Sequence, residues 1–178
     1  MLCKLVCHPH HDCPPVTRIA VEVLRRAESR LDLRYRIDGD IGALAIPPLT
    51  SSTRCDRLWE HLCVEAFVRG DGTQDYREIN AAPSTAWAVY HFSGYRAGMA
   101  DALVVPPAIS VDVQPDCLEL TVSLTLDLSA AALWHIGLSA VIEDYNGHKS
   151  CWALRHPPGK ADFHHAHGFA LPLSGPVT

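Results

Sequence analysis

Leu118, Leu120, Val122, Leu124 and Leu126 stand at every second position, with Glu119, Thr121, Ser123 and Thr125 between them. A two-residue period puts all five apolar side chains on one face of a strand, whereas a helix would scatter them around its axis. The same alternation recurs at Leu31, Leu33, Tyr35 and Ile37, with Asp32, Arg34 and Arg36 pointing the other way. Ile19, Val21 and Val23 share a face within Val16–Arg25. That stretch continues as VEVLRRAESRL, which also has helical spacing, but β-branched residues at its start favour the strand. Further runs are Leu44–Ile46, Ile109–Val113, Ile136–Ile142 and Cys151–Leu154. Turn residues separate them: Asp38-Gly39-Asp40, Pro47-Pro48, Pro106-Pro107, Pro115-Asp116 and Tyr145-Asn146-Gly147. A loop or single helical turn is expected at Ser129 to Leu133. About nine or ten short strands with hardly a helix predict an all-β, antiparallel sandwich of two sheets.

The length, 178 residues, suits one domain with a substantial core, residues 1–178. No basic run accompanies the net charge of −5, which argues against nucleic acid or an anionic membrane surface as partner. No segment approaches the roughly 20 apolar residues that span a bilayer. The first fifteen residues lack the apolar core of a signal peptide, and seven scattered cysteines do not form a disulfide framework. A cytoplasmic location is the resulting expectation. Cys3, Cys7 and Cys13 surround His8, His10 and His11, types that zinc prefers. Their spacing matches no standard finger, and a surface loop leading into the first strand is the plainer reading.

Chemistry concentrates between Arg57 and Met99, in three strands joined by tight turns. Alternation groups Cys63, Glu65 and Phe67 on one face of the first, with Val64, Ala66 and Val68 on the other. Tyr76, Glu78 and Asn80 share a face of the second, opposite Arg77 and Ile79. Two carboxylates in so apolar a setting need partners if buried. They could be a general acid/base pair of the glycosidase kind, an ion pair with Arg77 or Arg96, or hydrogen-bonding groups for a ligand's hydroxyls. Trp59, Trp87, Trp134 and Trp152, with Tyr76, Tyr90 and Tyr95, supply flat rings on which sugar C–H faces stack, or they fill the space between sheets. Trp87 and Trp152 lie beside polar loops and are the stronger binding candidates. The tail holds His156, His164, His165 and His167 near Cys151 and Asp162, residue types of a metal centre, without a zinc spacing. Met99 with one of these histidines could ligate a haem iron, although no CxxCH motif is present. No GxSxG and no phosphate-binding loop is found, so no catalytic residue is assigned and no cofactor follows from the residues themselves.

The runs LWEHLCVEAFV, YREINAAPSTAWAVYHFSGYRAGM and WALRHPPGKADFHH resemble the bacterial DOMON-like domain family, which is similar in fold to family 9 carbohydrate-binding modules. Leu58, Trp59, Glu60, Cys63, Glu65 and Phe67 fill the first block of that pattern. Tyr76, Glu78, Asn80, Pro83, Ser84 and Trp87 open the second, and Tyr90, Phe92, Tyr95, Arg96, Gly98 and Met99 complete it. Trp152, Leu154, His156, Pro157, Asp162, Phe163 and His164 fill the last. The chain departs at Val64, Ile79 and Ala81-Ala82, where the family is more aromatic. The resemblance implies a jelly-roll-like sandwich that binds a small molecule, with sugar or haem the ligand classes among fold relatives. Fold alone does not give function.

Together these readings predict a non-catalytic binder of a small molecule, a carbohydrate or similar polyol. Its ligand-binding residues are expected to be Glu65, Glu78, Asn80, Trp87, Arg96, Trp152, His156 and Asp162. Trp87 and Trp152 would stack, Glu78, Asn80 and Arg96 would take hydroxyls, and His156 and Asp162 would close the site. The missing export signal weighs against sugar. The alternatives are a metal- or haem-dependent redox protein using Met99, His164, His165 and His167, and a scaffold whose polar residues are internal ties.

Overall fold

The computed structural model describes residues 1–27, 29–128 and 131–175. Among these, twelve strands are present: β1 (Leu2–Cys7), β2 (Val16–Arg25), β3 (Arg30–Gly39), β4 (Cys63–Gly70), β5 (Tyr76–Ala81), β6 (Trp87–Phe92), β7 (Ala100–Asp101), β8 (Ala108–Val113), β9 (Cys117–Thr125), β10 (Leu133–Glu143), β11 (Lys149–Ala153) and β12 (Leu171–Ser174). The only helical pieces among the described residues are three-residue 3-10 turns at Ile41–Ala43, Leu58–Glu60 and Ala166–Gly168. The competing helix at Val16–Leu31 is absent: β2 and β3 form a hairpin there, from Val16 opposite Gly39 to Arg25 opposite Leu31. Leu44 makes an isolated bridge to Asp144 rather than a strand. Ser129 and Ala130, where a turn was expected, lie outside the described residues, and Leu133 already belongs to β10.

Where two separate sheets are predicted, the strand ladder is continuous. Its order is β7-β6-β5-β4-β10-β11-β1-β2-β3-β9-β8, every pair antiparallel, with β12 added beside β10. The junction is β1, whose Leu2–Leu5 pairs β2 while Val6 and Cys7 pair β11. The sequence predicts a loop here because Leu2 and Val6 are apolar yet exposed (68% and 58%), which hides the alternation of Cys3, Leu5 and Cys7.

The curl brings both halves of the sheet onto one apolar interior. Ile19, Val21, Leu33, Ile37, Leu120 and Val122 from one half share a single core with Val64, Val68, Ile79, Ile136 and Leu138 from the other. The inward faces are those the alternation predicts. Polar contacts also join the two halves, among them the bond from the buried Tyr35 hydroxyl of β3 to the Glu65 carbonyl oxygen of β4 at 2.6 Å. The strands β4, β5 and β6 are buried on both faces. Their outer face carries a second, aromatic cluster of Phe67, Tyr76, Tyr90, Phe92 and Phe169.

These placements separate two kinds of contribution. Leu33→Ala leaves a cavity in the shared interior and is expected to cost about 2–5 kcal/mol. Tyr35→Phe removes one hydroxyl–carbonyl bond and should cost about 1 kcal/mol. Urea unfolding of the two variants beside the parent protein checks both the values and their order.

Candidate functional site

The outer face of β4–β6 is not open to solvent, because two irregular segments fold over it. One is the turn from Ser93 to Met99, and the other is the tail from Arg155 to Phe169. Between them and the sheet lies a cleft of about 360 Å3 lined by Trp59, Glu65, Phe67, Glu78, Phe92, Arg96, Met99, Val141, Cys151, Ala161, Phe163 and His164. Strand parity supplies the floor: Glu65 and Phe67 from β4, Glu78 from β5, Phe92 from β6, Val141 from β10 and Cys151 from β11.

Two glycines let the covering segments approach. At Gly137 in β10, a Cβ would come within 3.1 Å of the Gly168 carbonyl oxygen and 3.4 Å of the Phe67 Cβ. A bare backbone there allows the tail to lie against the sheet. At Gly98 the φ is +62° and a Cβ would meet the Ser93 hydroxyl at 2.3 Å, so this tight turn requires glycine. Arg96 also sits in the left-handed region, with φ 52°, a conformation costing a non-glycine residue about 1–2 kcal/mol. Its local compensation is visible. The Arg96 backbone N–H donates to the Tyr76 hydroxyl at 3.3 Å, and its guanidinium donates to Asp162 Oδ1 at 2.8 Å. The Tyr95 hydroxyl donates to the other oxygen of Asp162 at 2.6 Å, and the His164 backbone N–H reaches Oδ1 at 3.2 Å. Asp162 thereby clasps the turn to the tail at the rim.

Glu65 and Glu78 are 3% and 4% exposed. Glu65 lies opposite Asn80, and Phe67 opposite Glu78, so the two acids are diagonal neighbours on adjacent strands. Glu65 Oε2 accepts from the Ser139 hydroxyl of β10 at 3.0 Å. Glu78 Oε1 accepts from the Asn80 side-chain amide nitrogen at 2.7 Å, and Asn80 Oδ1 accepts from the Cys63 thiol at 3.6 Å. Burial, reinforced by the neighbouring Glu78 charge, pushes the Glu65 carboxyl up to about 8; the Ser139 bond and Arg96 oppose that rise. Burial also raises Glu78, against the pull of Asn80 and Arg96.

His164 Nδ1 lies 2.7 Å from the Tyr76 hydroxyl, whose oxygen already accepts from Arg96 N–H. A phenol donating to Nδ1 leaves the ring proton on Nε2, the nitrogen that lies 3.7 Å from Glu78 Oε2. Burial first, and the Arg96 charge second, lower this imidazole to about 4. At neutral pH the ring is uncharged, so its approach to Glu78 is a dipole facing a carboxyl rather than an ion pair.

Of the eight expected binding residues, the structure brings Glu65, Glu78 and Arg96 together in the cleft, with Asp162 at its rim and Asn80 holding Glu78 from within the sheet. It does not bring the tryptophans. Trp87 and Trp152 belong to the main interior, 7% exposed each, because Trp87 pairs with Ala81 on the core face and Trp152 alternates with the cleft residue Cys151. His156 stands behind the cleft, its Nε2 2.8 Å from the Val6 carbonyl oxygen and its ring 6.4 Å from that of Phe163. Neither Arg77 nor Arg96 ion-pairs with the buried acids: Arg77 lies 3.4 Å from Asp75, and Arg96 takes Asp162. Among the metal-ligand candidates, His164 and Met99 line the cleft, while His165 and His167 stack edge to face at 4.6 Å outside it. Among the described residues, no group of three His, Cys, Asp or Glu side chains is placed to hold a metal ion.

Among the cleft aromatics, Phe67, Phe92 and Phe163 carry no binding expectation from the sequence, and Trp59 is there only one of seven candidate rings, ranked behind Trp87 and Trp152. Phe67 shares the face already assigned to Glu65, so parity alone points to it. Trp59 lies in a 3-10 turn and packs against Tyr90 at 5.9 Å, and no periodicity marks such a position.

No family model matches the chain, and no curated protein sequence matches it. Among solved structures, the chain is similar to a candidate carbohydrate-binding protein from Bacteroides uniformis ATCC 8492. The identity is 14% and the TM-score 0.69, over 99% of this chain and 86% of that one. It is also similar to a family 9 carbohydrate-binding module from Caldicellulosiruptor kristjanssonii in complex with cellotriose, at 10% identity and a TM-score of 0.51, over 87% of this chain and 74% of that one. At such identities the likeness is one of fold: an all-β, curled antiparallel sheet like that of the family 9 modules.

The shifted groups predict a pH dependence of stability with a defined sign. The folded state holds a proton on Glu65 that the unfolded chain loses above about 4.5, so stability falls as pH rises until about 8. His164 acts oppositely, adding stability as pH rises from about 4 to about 6.5, and then contributes no further slope. Between about 6.5 and about 8 the carboxyl effect is therefore exposed, with a slope of at most about 1.4 kcal/mol per pH unit for one proton. Urea unfolding across that window is expected to show the decline, and Glu65→Gln is expected to flatten it.

Proposed function

We propose that the protein is a non-catalytic binding module for a small polyol, most simply a carbohydrate. The observation that carries this reading is the composition of one cleft: aromatic rings of Trp59, Phe67, Phe92 and Phe163 beside the hydrogen-bonding groups of Glu65, Glu78, Arg96 and His164. A sugar ring presents apolar C–H faces and polar hydroxyl edges, and such walls complement both. The fold relatives support the same ligand class, one being a candidate carbohydrate-binding protein and the other a module in complex with cellotriose. The long middle block from Tyr76 to Met99 supports assignment to the DOMON-like family, with the curled sheet read as its jelly-roll-like sandwich. The binding set becomes Glu65, Glu78, Arg96 and His164 with Trp59 and Phe92 as stacking faces, in place of Trp87, Trp152 and His156.

Isothermal titration against a panel of monosaccharides, disaccharides and sugar alcohols tests this. Saturable one-to-one binding is expected, and Trp59→Ala should weaken it roughly tenfold by removing a stacking face, without a large change in unfolding midpoint. Trp87→Ala, which opens the core instead, should cost about 3–5 kcal/mol of stability. An absence of heat from every sugar and polyol at millimolar concentration overturns the proposal.

A further inference from the structure

Two acids are buried beneath the cleft, and among the described residues neither touches a cation. Glu65 and Glu78 each engage one oxygen with a neutral donor, the Ser139 hydroxyl and the Asn80 amide. The one guanidinium lining the cleft among the described residues, that of Arg96, is held at the rim by Asp162. The imidazole beside Glu78 is neutral at physiological pH. A neutral sugar could be held by amides and hydroxyls, without the desolvation that two buried carboxyl groups entail. What such a floor lacks is positive charge, and the aromatic rings that line the same cleft favour the same occupant, since ring faces attract organic cations.

We propose that the cleft selects a polyol bearing a protonated amine, with the ammonium group seated between Glu65 and Glu78 and the carbon skeleton against Trp59 and Phe92. This rests on the polyol-binding reading and adds the ligand's charge to it. Binding is then coupled to a proton. In the empty cleft Glu65 keeps its carboxyl hydrogen up to about pH 8. When the ammonium arrives, the O–H bond of Glu65 breaks and that proton leaves to the buffer. The ligand nitrogen keeps its own protons and donates to the carboxylate so formed. The other groups facing Glu65 do not compete in this range: burial holds the thiols of Cys63 and Cys151 and the phenol of Tyr35 protonated well above it. Tyr76 is raised likewise, and Asp162 is lowered and stays ionised.

The test is calorimetric titration of the unmodified protein near pH 6.5 with two matched pairs: 1-amino-1-deoxysorbitol against sorbitol, and glucosamine against glucose. Each is run in phosphate and in imidazole, buffers of different ionisation enthalpy. The amine of a pair is expected to bind at least about tenfold tighter than its neutral partner, with close to one proton released per site. For 1-amino-1-deoxysorbitol, whose alkylammonium stays protonated throughout this range, the affinity should rise with pH until about 8. Glu65→Gln should abolish the proton release. Equal affinity for the neutral partners without proton exchange overturns the charge assignment while leaving polyol binding standing. Tighter amine binding without proton release also overturns it, because the nitrogen then sits away from Glu65. If none of the four compounds binds, the charge assignment falls, and the polyol reading falls with it when the full panel of sugars and sugar alcohols is silent as well.

Discussion

The removal of Glu65 and Glu78 from water is the constraint around which the outer face of this sheet is arranged. Two carboxyl groups on adjacent strands, both almost wholly buried, cannot both carry charge without a counter-ion. Among the described residues none is in contact. The chain answers instead with a proton on Glu65, a serine hydroxyl, an asparagine amide and an uncharged histidine. That arrangement is costly compared with an apolar face, and the neighbouring aromatic cluster shows that this face accepts apolar residues readily. A structural tie alone would not call for acids at both positions.

The covering segments make this burial possible. A face of β4–β6 left bare would keep both carboxyls wet and ionised. Gly137 lets the tail backbone lie on β10, and Gly98 lets the turn after β6 close back on Ser93. Asp162 then joins turn to tail through Arg96 and Tyr95. The exposed Arg96–Asp162 pair contributes little to stability by itself, since Arg96 remains about half open to solvent. Its effect is geometric: it fixes where the rim stands over the acids.

Much of this was legible because parity is a local property of a strand. Alternation alone put Cys63, Glu65 and Phe67 on one face, Tyr76, Glu78 and Asn80 on another, and Leu31 to Ile37 into the core. It could not say that the faces of β4 and β5 carrying the acids are the same face of the sheet, because that depends on register between strands. The side on which Trp87 lies depends on register in the same way. Its neighbours in sequence are polar turn residues, yet its partner across the ladder is Ala81, which looks into the core. Trp152 follows Cys151, and only the position of β11 reveals which of them meets the cleft. The continuous ladder was hidden by β1, whose apolar residues on both faces mask its period, and Trp59, Phe163 and His164 sit in irregular chain where no period exists.

The hydrogen-bond chain through Tyr76 gives the site a direction. Arg96 N–H donates to the phenol, the phenol donates to His164 Nδ1, and the remaining ring proton on Nε2 points toward Glu78. In that arrangement the turn and the sheet both bear on the His164 ring of the tail, whose Nε2 lies 3.7 Å from Glu78, beyond direct hydrogen-bond reach. On the other side Ser139 donates to Glu65. The protein thus offers the cleft floor donors that suit carboxylates, while burial keeps at least Glu65 from ionising in the empty state. A site whose hydrogen bonds favour a charge that its solvation disfavours is poised rather than settled, and a modest opposite charge brought in from outside is enough to tip it.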